Sequence, residues 1–252
     1  MIYVLGDSFT WGHNFFLEKN KDRKKLVYPY HLEQKLNTKV KNLSIPGSSN
    51  WRLTRLLLNL PLTENDIVII AWTESSRFEI PCSKSSILPN DILLCMEDLE
   101  DFELNKFYDN ENFVMGSFIE KSDQYFTRRI HPALFGRLET IKNQKFRKLI
   151  ESYYIDFFDN SWHDDMFSIM FTSALYKLRM SKCQFRMFNT FISPTKKENT
   201  MFEIPEYIFG YKKSMVNFLR PDQSNNIKYY SISEHKKVAE ILYNHLIEKD
   251  VK

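Results

Sequence analysis

A serine that follows the first apolar run of the chain is the residue with the clearest chemical potential. The run Ile2–Leu5 leads straight into Gly6, Asp7 and Ser8. A short apolar β-type run that ends at a glycine is typical of a buried strand followed by a tight turn. Sheets of α/β proteins bind their ligands at the carboxyl ends of parallel strands, so this turn presents Ser8 as a nucleophile. We expect Asp7 to hold the turn through hydrogen bonds to the loop backbone; an ordinary turn capped by Asp7 or Ser8 is the alternative.

The elements that must position Ser8 alternate between strands and helices. Further strands are predicted at 39–44, 66–72 and 183–188. The second of these is apolar at every position after Asp66, which indicates burial on both faces in a parallel sheet. Amphipathic spacing predicts helices at 27–36, 51–60, 138–158, 164–180 and 233–248, with Asn50 as the cap of the second. The chain is therefore predicted to be one α/β domain over 1–252, a three-layer α/β/α sandwich with a mostly parallel, flavodoxin-like sheet. A stretch at about 80–137 has no clear period and is interpreted as a mid-chain insertion.

The order of these features resembles the SGNH/GDSL hydrolase family. The Gly6-Asp7-Ser8 turn follows the first strand, as in that family, and Gly47 lies in a Pro-Gly turn after the second strand. The resemblance implies that Ser8 attacks an ester carbonyl and that the backbone N–H groups of Ser8 and Gly47 form an oxyanion hole. Convergent donors of this kind are worth a few kcal/mol each to a tetrahedral intermediate.

The third strand departs from the family pattern. The family places an asparagine there to complete the oxyanion hole, whereas this chain has Thr73, whose hydroxyl offers a single donor. Asn50 is a substitute donor, with helix capping as the alternative. Arg77 and Glu79 leave the same strand and are expected either to line the cleft or to form a surface salt bridge. The pattern Trp-Thr-x-x-x-Arg-Phe-Glu is similar to a variant of phage-type members. The sequence 63–66 looks like the missing motif but lies before the strand, at its opposite end.

The family's general base also has no clear counterpart. Aligning the last helix on His235 places Asn226 and Tyr229 where the family has its Asp and His. His235 is then the best remaining base, with a packing role in the first helical turn as the alternative. Three further histidines are candidates: His13, His131 and His163. His163 beside two aspartates also suggests a metal ligand, but no second ligand cluster accompanies it, so no metal or other cofactor is expected.

Composition limits the partners. The net charge is only +3 with both signs mixed, and the basic cluster at 19–25 is interpreted as a solvated loop, so a nucleic-acid partner is not expected. No apolar run is long enough to span a membrane, and neither a signal peptide nor a cysteine pairing pattern is evident. We expect a cytoplasmic protein, or a virion-associated one if the chain is phage-encoded. Trp11 lies beside the Ser8 turn and would suit a sugar or an acyl chain, with core packing as the alternative.

The leading functional hypothesis is a serine esterase or deacetylase acting on an acyl ester of a carbohydrate or small molecule. Acyl transfer would use the same serine. The rival hypothesis is a catalytically degenerate protein of the same fold with a binding or structural role, for example in a phage particle. A homo-oligomer is compatible with either.

Overall fold

The computed structural model describes residues 1–17, 22–75, 77–82, 92–95, 118–121, 126–130, 144–190, 204–208, 213–220 and 230–247. Eight strands lie in these ranges: β1 (Ile2–Leu5), β2 (Val40–Asn42), β3 (Ile67–Trp72), β4 (Phe78–Cys82), β5 (Ile92–Cys95), β6 (Phe118–Lys121), β7 (Phe126–Ile130) and β8 (Gln184–Asn189). The helices are α1 (Ser8–Trp11), α2 (His13–Leu17), α3 (Arg23–Leu26), α4 (Tyr28–Leu36), α5 (Asn50–Asn59), α6 (Gln144–Ser152), α7 (Asn160–Met180), α8 (Met215–Leu219) and α9 (Ile232–Ile247). A π-helical turn, Tyr153–Phe157, joins α6 to α7.

The central sheet is parallel throughout and has the strand order β2-β1-β3-β8. Ile2 of β1 pairs with Val40 on one side and with Ile67 on the other, while Ile67 also pairs with Gln184 of β8. The strands therefore start level and end at one common edge. Ser8 follows β1 at this edge, next to the loop after β2 and to the end of β3.

Helices cover both faces of this sheet, which confirms the predicted α/β/α sandwich. Alternate side chains of each strand point to opposite faces. One face packs against α5 and α7 through Leu5, Val68, Ile70, Trp72, Leu53, Leu56, Phe167 and Phe171. The other packs against α4 and α9 through Ile2, Val4, Ile69, Ala71, Tyr28, Leu32, Val238 and Leu242. Burial on both faces explains the unbroken apolar run of β3.

The region of the expected insertion is described only in part. The strands β4 to β7 form a second sheet in the order β4-β7-β6-β5, in which β5 and β6 are parallel and the other pairs antiparallel. The remaining residues of 80–137 lie outside the described ranges. Among the described helices, none is both long and apolar enough to cross a bilayer.

The sequence prediction did not assign the strands of the second sheet, β4 to β7, or the short helix α8. Its other differences from the structure lie in short helices and one cap. The prediction missed α1, α2 and α3, which have only four or five residues each. It also assigned the cap of α5 to Asn50, whereas Ser49 is the cap, with its hydroxyl accepting a hydrogen bond from the Arg52 N–H at 3.1 Å. Asn50 is free of that role because its side chain turns towards β3.

Candidate functional site

Ser8 begins α1, and the local sequence explains why a helix starts there. Asp7 is in extended conformation and caps the helix, accepting a hydrogen bond from the Phe9 N–H at 3.0 Å. Gly12 ends the helix in the left-handed region, at φ 81°, and its N–H donates to the Ser8 carbonyl at 3.0 Å. Ser8 is 6% exposed. In the described part of the chain, no side chain is hydrogen-bonded to its hydroxyl.

The Asp7 carboxylate is the electrostatic centre of the site. It is fully buried, and its Oδ2 accepts hydrogen bonds from the Thr73 hydroxyl at 3.0 Å and from Arg77 Nη1 at 3.2 Å. Burial raises the pKa of Asp7, and the Arg77 charge is the largest influence opposing that rise. The loop after β3 is thus fixed to the loop after β1. Arg77, expected either to line the cleft or to form a surface salt bridge, is instead a buried ion-pair partner of Asp7.

Thr73 and Asn50 are bound to each other as well. The Asn50 side chain accepts from the Thr73 N–H and donates to the Thr73 carbonyl, both at 2.9 Å. The Thr73 hydroxyl is already donated to Asp7. The two side chains expected to help an oxyanion hole therefore hold the end of β3 in place.

Gly47 lies in the turn between β2 and α5, in the left-handed region at φ 73°. A fully buried arginine, Arg52, holds this turn: its Nη1 donates to the Leu43 carbonyl at 2.9 Å and to the Ser48 hydroxyl at 3.2 Å. Sequence reasoning missed Arg52, since a charged residue early in a helix is usually solvated. Within the described residues, the backbone N–H groups of Ser8 and Gly47 donate no hydrogen bond.

His235 lies in the hydrophobic core between α4 and α9. Its Nδ1 accepts a hydrogen bond from the Tyr28 N–H at 3.1 Å, which means that the neutral ring carries its hydrogen on Nε2. The rings of Phe15, Tyr28 and Tyr230 surround it at centroid distances of 5.4, 6.1 and 5.3 Å. Burial lowers the pKa of His235 to about 3. The residue has the packing role that the sequence left open as its alternative.

The other candidate bases within the described ranges, His13 and His163, make no hydrogen bond to the Ser8 hydroxyl. Burial, and after it the charge of Arg23, lowers the pKa of His13 to about 4. His163 shares a 2.7 Å hydrogen bond with the Tyr153 hydroxyl, and burial lowers its pKa. His131, Asn226 and Tyr229 lie outside the described residues. Within the described ranges, no group of three or more His, Cys, Asp or Glu side chains is arranged to hold a metal ion.

Two buried tyrosines near the site were not anticipated. Tyr28 is hydrogen-bonded through its hydroxyl to Thr10 of α1 at 3.1 Å, and Tyr230 packs edge-on against Phe9 at 4.9 Å. Burial raises the pKa of both hydroxyls, and the charge of Asp7 adds to the rise. Tyr230 precedes α9, so its proximity to α1 depends on tertiary packing and had no sequence signal.

Trp11 borders a surface cavity on the α3–α4 side of the site. The Arg23 guanidinium lies 3.6 Å from the centre of the Trp11 ring and also donates to the Trp11 carbonyl. The cavity has a volume of about 270 Å³ and is lined by Trp11, Arg23, Lys24, Tyr30, Lys39 and Asn42, among others. Asn42 donates to the Thr10 carbonyl at 3.4 Å, which connects the cavity wall to α1. Glu79 does not line this cavity; its carboxylate accepts a hydrogen bond from Arg55 of α5 at 3.0 Å.

Comparisons with protein families, curated proteins and solved structures give no match to this chain. Any conclusion about the site therefore depends on the geometry of this chain alone. An α/β/α sandwich presents a serine and two unpaired backbone N–H groups at the carboxyl edge of its parallel sheet, with a buried Asp–Thr–Arg network behind them.

Proposed function

We propose that this chain is an SGNH-type protein that binds an acyl ester of a carbohydrate or small molecule and has lost serine–histidine hydrolysis. The observation that carries the proposal is the state of His235, which is buried in the core with Nδ1 bonded to the Tyr28 backbone. Its role would be one of recognition or structure, for example in a phage particle.

No base is positioned beside Ser8 among the described residues. A serine hydroxyl is a weak nucleophile unless a base within hydrogen-bond reach takes its proton. In the described part of the chain, Ser8 has no such partner. The imidazole of His235 offers no lone pair to it, because Nδ1 already accepts a hydrogen bond and Nε2 carries the hydrogen.

The groups that remain at the site suit an oxygen-bearing ligand. The Ser8 and Gly47 N–H groups follow adjacent strands and donate to nothing in the described residues. Unpaired N–H donors of this kind also bind the neutral carbonyl oxygen of an ester, although less tightly than they bind an oxyanion. The cavity beside Trp11 adds an aromatic and basic wall one helical turn away.

Hydrolysis by Ser8 is the second candidate function. It is favoured by the same unpaired N–H groups together with the unoccupied Ser8 hydroxyl, which would form the acyl-enzyme in an esterase, a deacetylase or an acyl transferase. This candidate requires a base from the parts of the chain outside the described ranges.

A turnover assay and a binding assay together test the proposal. We expect the wild type and Ser8→Ala to release p-nitrophenol from p-nitrophenyl acetate, butyrate and octanoate at the same background rate. Faster release by the wild type would establish the esterase instead. For binding, the ¹⁵N-labelled protein is titrated with glycerol triacetate, a soluble polyol ester. Saturable shifts of the Ser8 and Gly47 amide signals are expected, and their absence would contradict the binding role.

A further inference from the structure

The long helix α7 has two apolar faces, and only one of them is buried. Its inner face packs on the sheet through Phe167, Met170, Phe171, Ala174 and Leu178. Its outer face carries four large apolar side chains, Trp162, Ile169, Tyr176 and Met180, which are 51%, 57%, 68% and 65% exposed. An apolar stripe on a helix is normally buried against another surface, so the outer stripe of α7 lacks a partner in this chain among the described residues.

The outer residues follow the spacing of a coiled-coil seam. Positions 162, 166, 169, 173, 176 and 180 alternate in steps of four and three, and all are apolar except Ser173. Met166 is partly buried against the inner core, so at this position the seam adjoins the face of α7 that packs on the sheet. Over the 21 residues of α7 this makes a stripe about 30 Å long.

We propose that this seam binds the α7 helix of a second copy of the chain, antiparallel, about a twofold axis near residue 171. Alignment about that axis pairs every seam position with another seam position: Trp162 with Met180, Met166 with Tyr176, and Ile169 with Ser173 of the second copy. A twofold interface must be complementary to itself, and this seam meets that requirement.

Charge complementarity selects the antiparallel register. In this alignment the exposed Asp165 of one copy lies opposite the exposed Arg179 of the other, and the symmetry produces the pair twice. In antiparallel pairs such flanking positions face each other directly, and opposite charges there fix partner and orientation. A parallel pairing would instead bring Asp165 towards Met170, which offers it no charge.

The hydroxyl groups on and beside the seam lose less than usual when they leave water. The hydroxyls of Ser168, Thr172 and Ser173 donate to the carbonyls four residues earlier, at 3.0, 2.8 and 2.8 Å. Their donors are therefore satisfied within the helix. A face on which hydroxyl donors are already paired costs less to bury than one that must give up bonds to water.

The first experiment measures the mass of the full chain in solution by sedimentation velocity over a dilution series. We expect a dimer for the wild type and a monomer for Ile169→Lys, with the dissociation constant raised at least about 100-fold, because the variant loses a buried isoleucine and places a charge in the seam. Ile232→Lys is the matched control: Ile232 begins α9, is 40% exposed and lies away from the seam, so this variant should remain a dimer. Circular dichroism confirms that both variants are folded.

The second experiment tests the register by charge exchange. Asp165→Arg and Arg179→Asp each place like charges opposite one another twice, and each is expected to weaken the dimer about 10-fold. The double variant restores the opposite charges and should recover the wild-type constant. A wild type that stays monomeric at the highest concentration overturns the proposal, as does a dimer unaffected by Ile169→Lys. A double variant no tighter than the single ones overturns the antiparallel register.

Discussion

Replacing Arg77 by Met should destabilise the fold, because it leaves the buried Asp7 carboxylate without the arginine that is hydrogen-bonded to it. The guanidinium lies 3.2 Å from the Asp7 carboxylate, with the two side chains 7% and 0% exposed. Asp7 has no other cationic partner among the described residues. Removing one member of a buried pair leaves the other charge uncompensated, so we expect a loss of about 3 kcal/mol in the free energy of unfolding at neutral pH.

The reciprocal change should cost less, and this asymmetry is specific to the geometry. In Asp7→Asn the side-chain oxygen still accepts from the Phe9 N–H, and Arg77 keeps Glu74 as a neighbour at 3.4 Å. We expect a loss of about 1–2 kcal/mol. The double variant should lose less than the sum of the two single variants, because the uncompensated carboxylate is then absent.

The pH dependence follows from the direction of the Asp7 pKa shift. Burial places the pKa of folded Asp7 above its ordinary value, and Arg77 limits that rise. When the pKa of a carboxyl group is higher in the folded than in the unfolded state, the protein loses stability as the pH rises through the folded pKa. Without Arg77 the pKa of folded Asp7 is higher still, so this loss is larger. The difference between wild type and Arg77→Met should therefore be largest at neutral pH and shrink when pH falls.

Urea unfolding of wild type, both single variants and the double variant measures all of these quantities. The experiment compares free energies at neutral pH with those at acidic pH, because protonation of Asp7 on acidification relieves the variant. A loss below about 1 kcal/mol for Arg77→Met at neutral pH would refute the reasoning, because it falls within the range of a solvated surface pair. A loss of the same size at both pH values would refute the role given to the Asp7 charge.

Two further predictions concern residues that shape the site. Gly12→Ala should lower the free energy of unfolding by about 2–4 kcal/mol, because the left-handed backbone is strained by a side chain and the new Cβ would lie 2.4 Å from Val27; a change below about 1 kcal/mol in thermal or urea unfolding would contradict this. The pKa of His235 is about 3 in the folded protein, compared with an ordinary value of 6.5. Because the unfolded chain therefore binds a proton more readily, this group lowers the free energy of unfolding by about 1.4 kcal/mol for each pH unit below 6.5. His235→Asn, which can still accept from the Tyr28 N–H, should flatten that slope, whereas His235→Leu should be less stable than Asn by about 1–3 kcal/mol at neutral pH. An unchanged slope in His235→Asn would show that other groups dominate the acid response.

The sheet could be predicted because its strands carry strong periodic signals. The run at 67–72 is apolar at every position, which is typical of a short strand covered on both faces. The helices α4, α5, α7 and α9 each extend over two or more turns, so their apolar stripes are visible in the sequence. The four residues of α1 span barely one turn, and a stripe cannot be recognised over that length.

The candidate site was only partly predictable, because side-chain partners depend on tertiary placement. The sequence located Thr73 and Arg77 at the end of β3, yet it could not show that both donate to Asp7 rather than face a ligand. Likewise His235 was found in the first turn of the last helix, but its Tyr28 partner comes from a residue 207 positions away. Contacts of that kind leave no local pattern.

The most direct test of the central claim is the intact mass of the protein after incubation with a fluorophosphonate. This probe phosphonylates a serine that has been activated as a nucleophile and adds a fixed mass to the chain. We expect no adduct on Ser8, with wild type and Ser8→Ala giving the same spectrum while both are folded. Stoichiometric labelling of the wild type that is lost in Ser8→Ala would contradict it and would establish Ser8 as a working nucleophile.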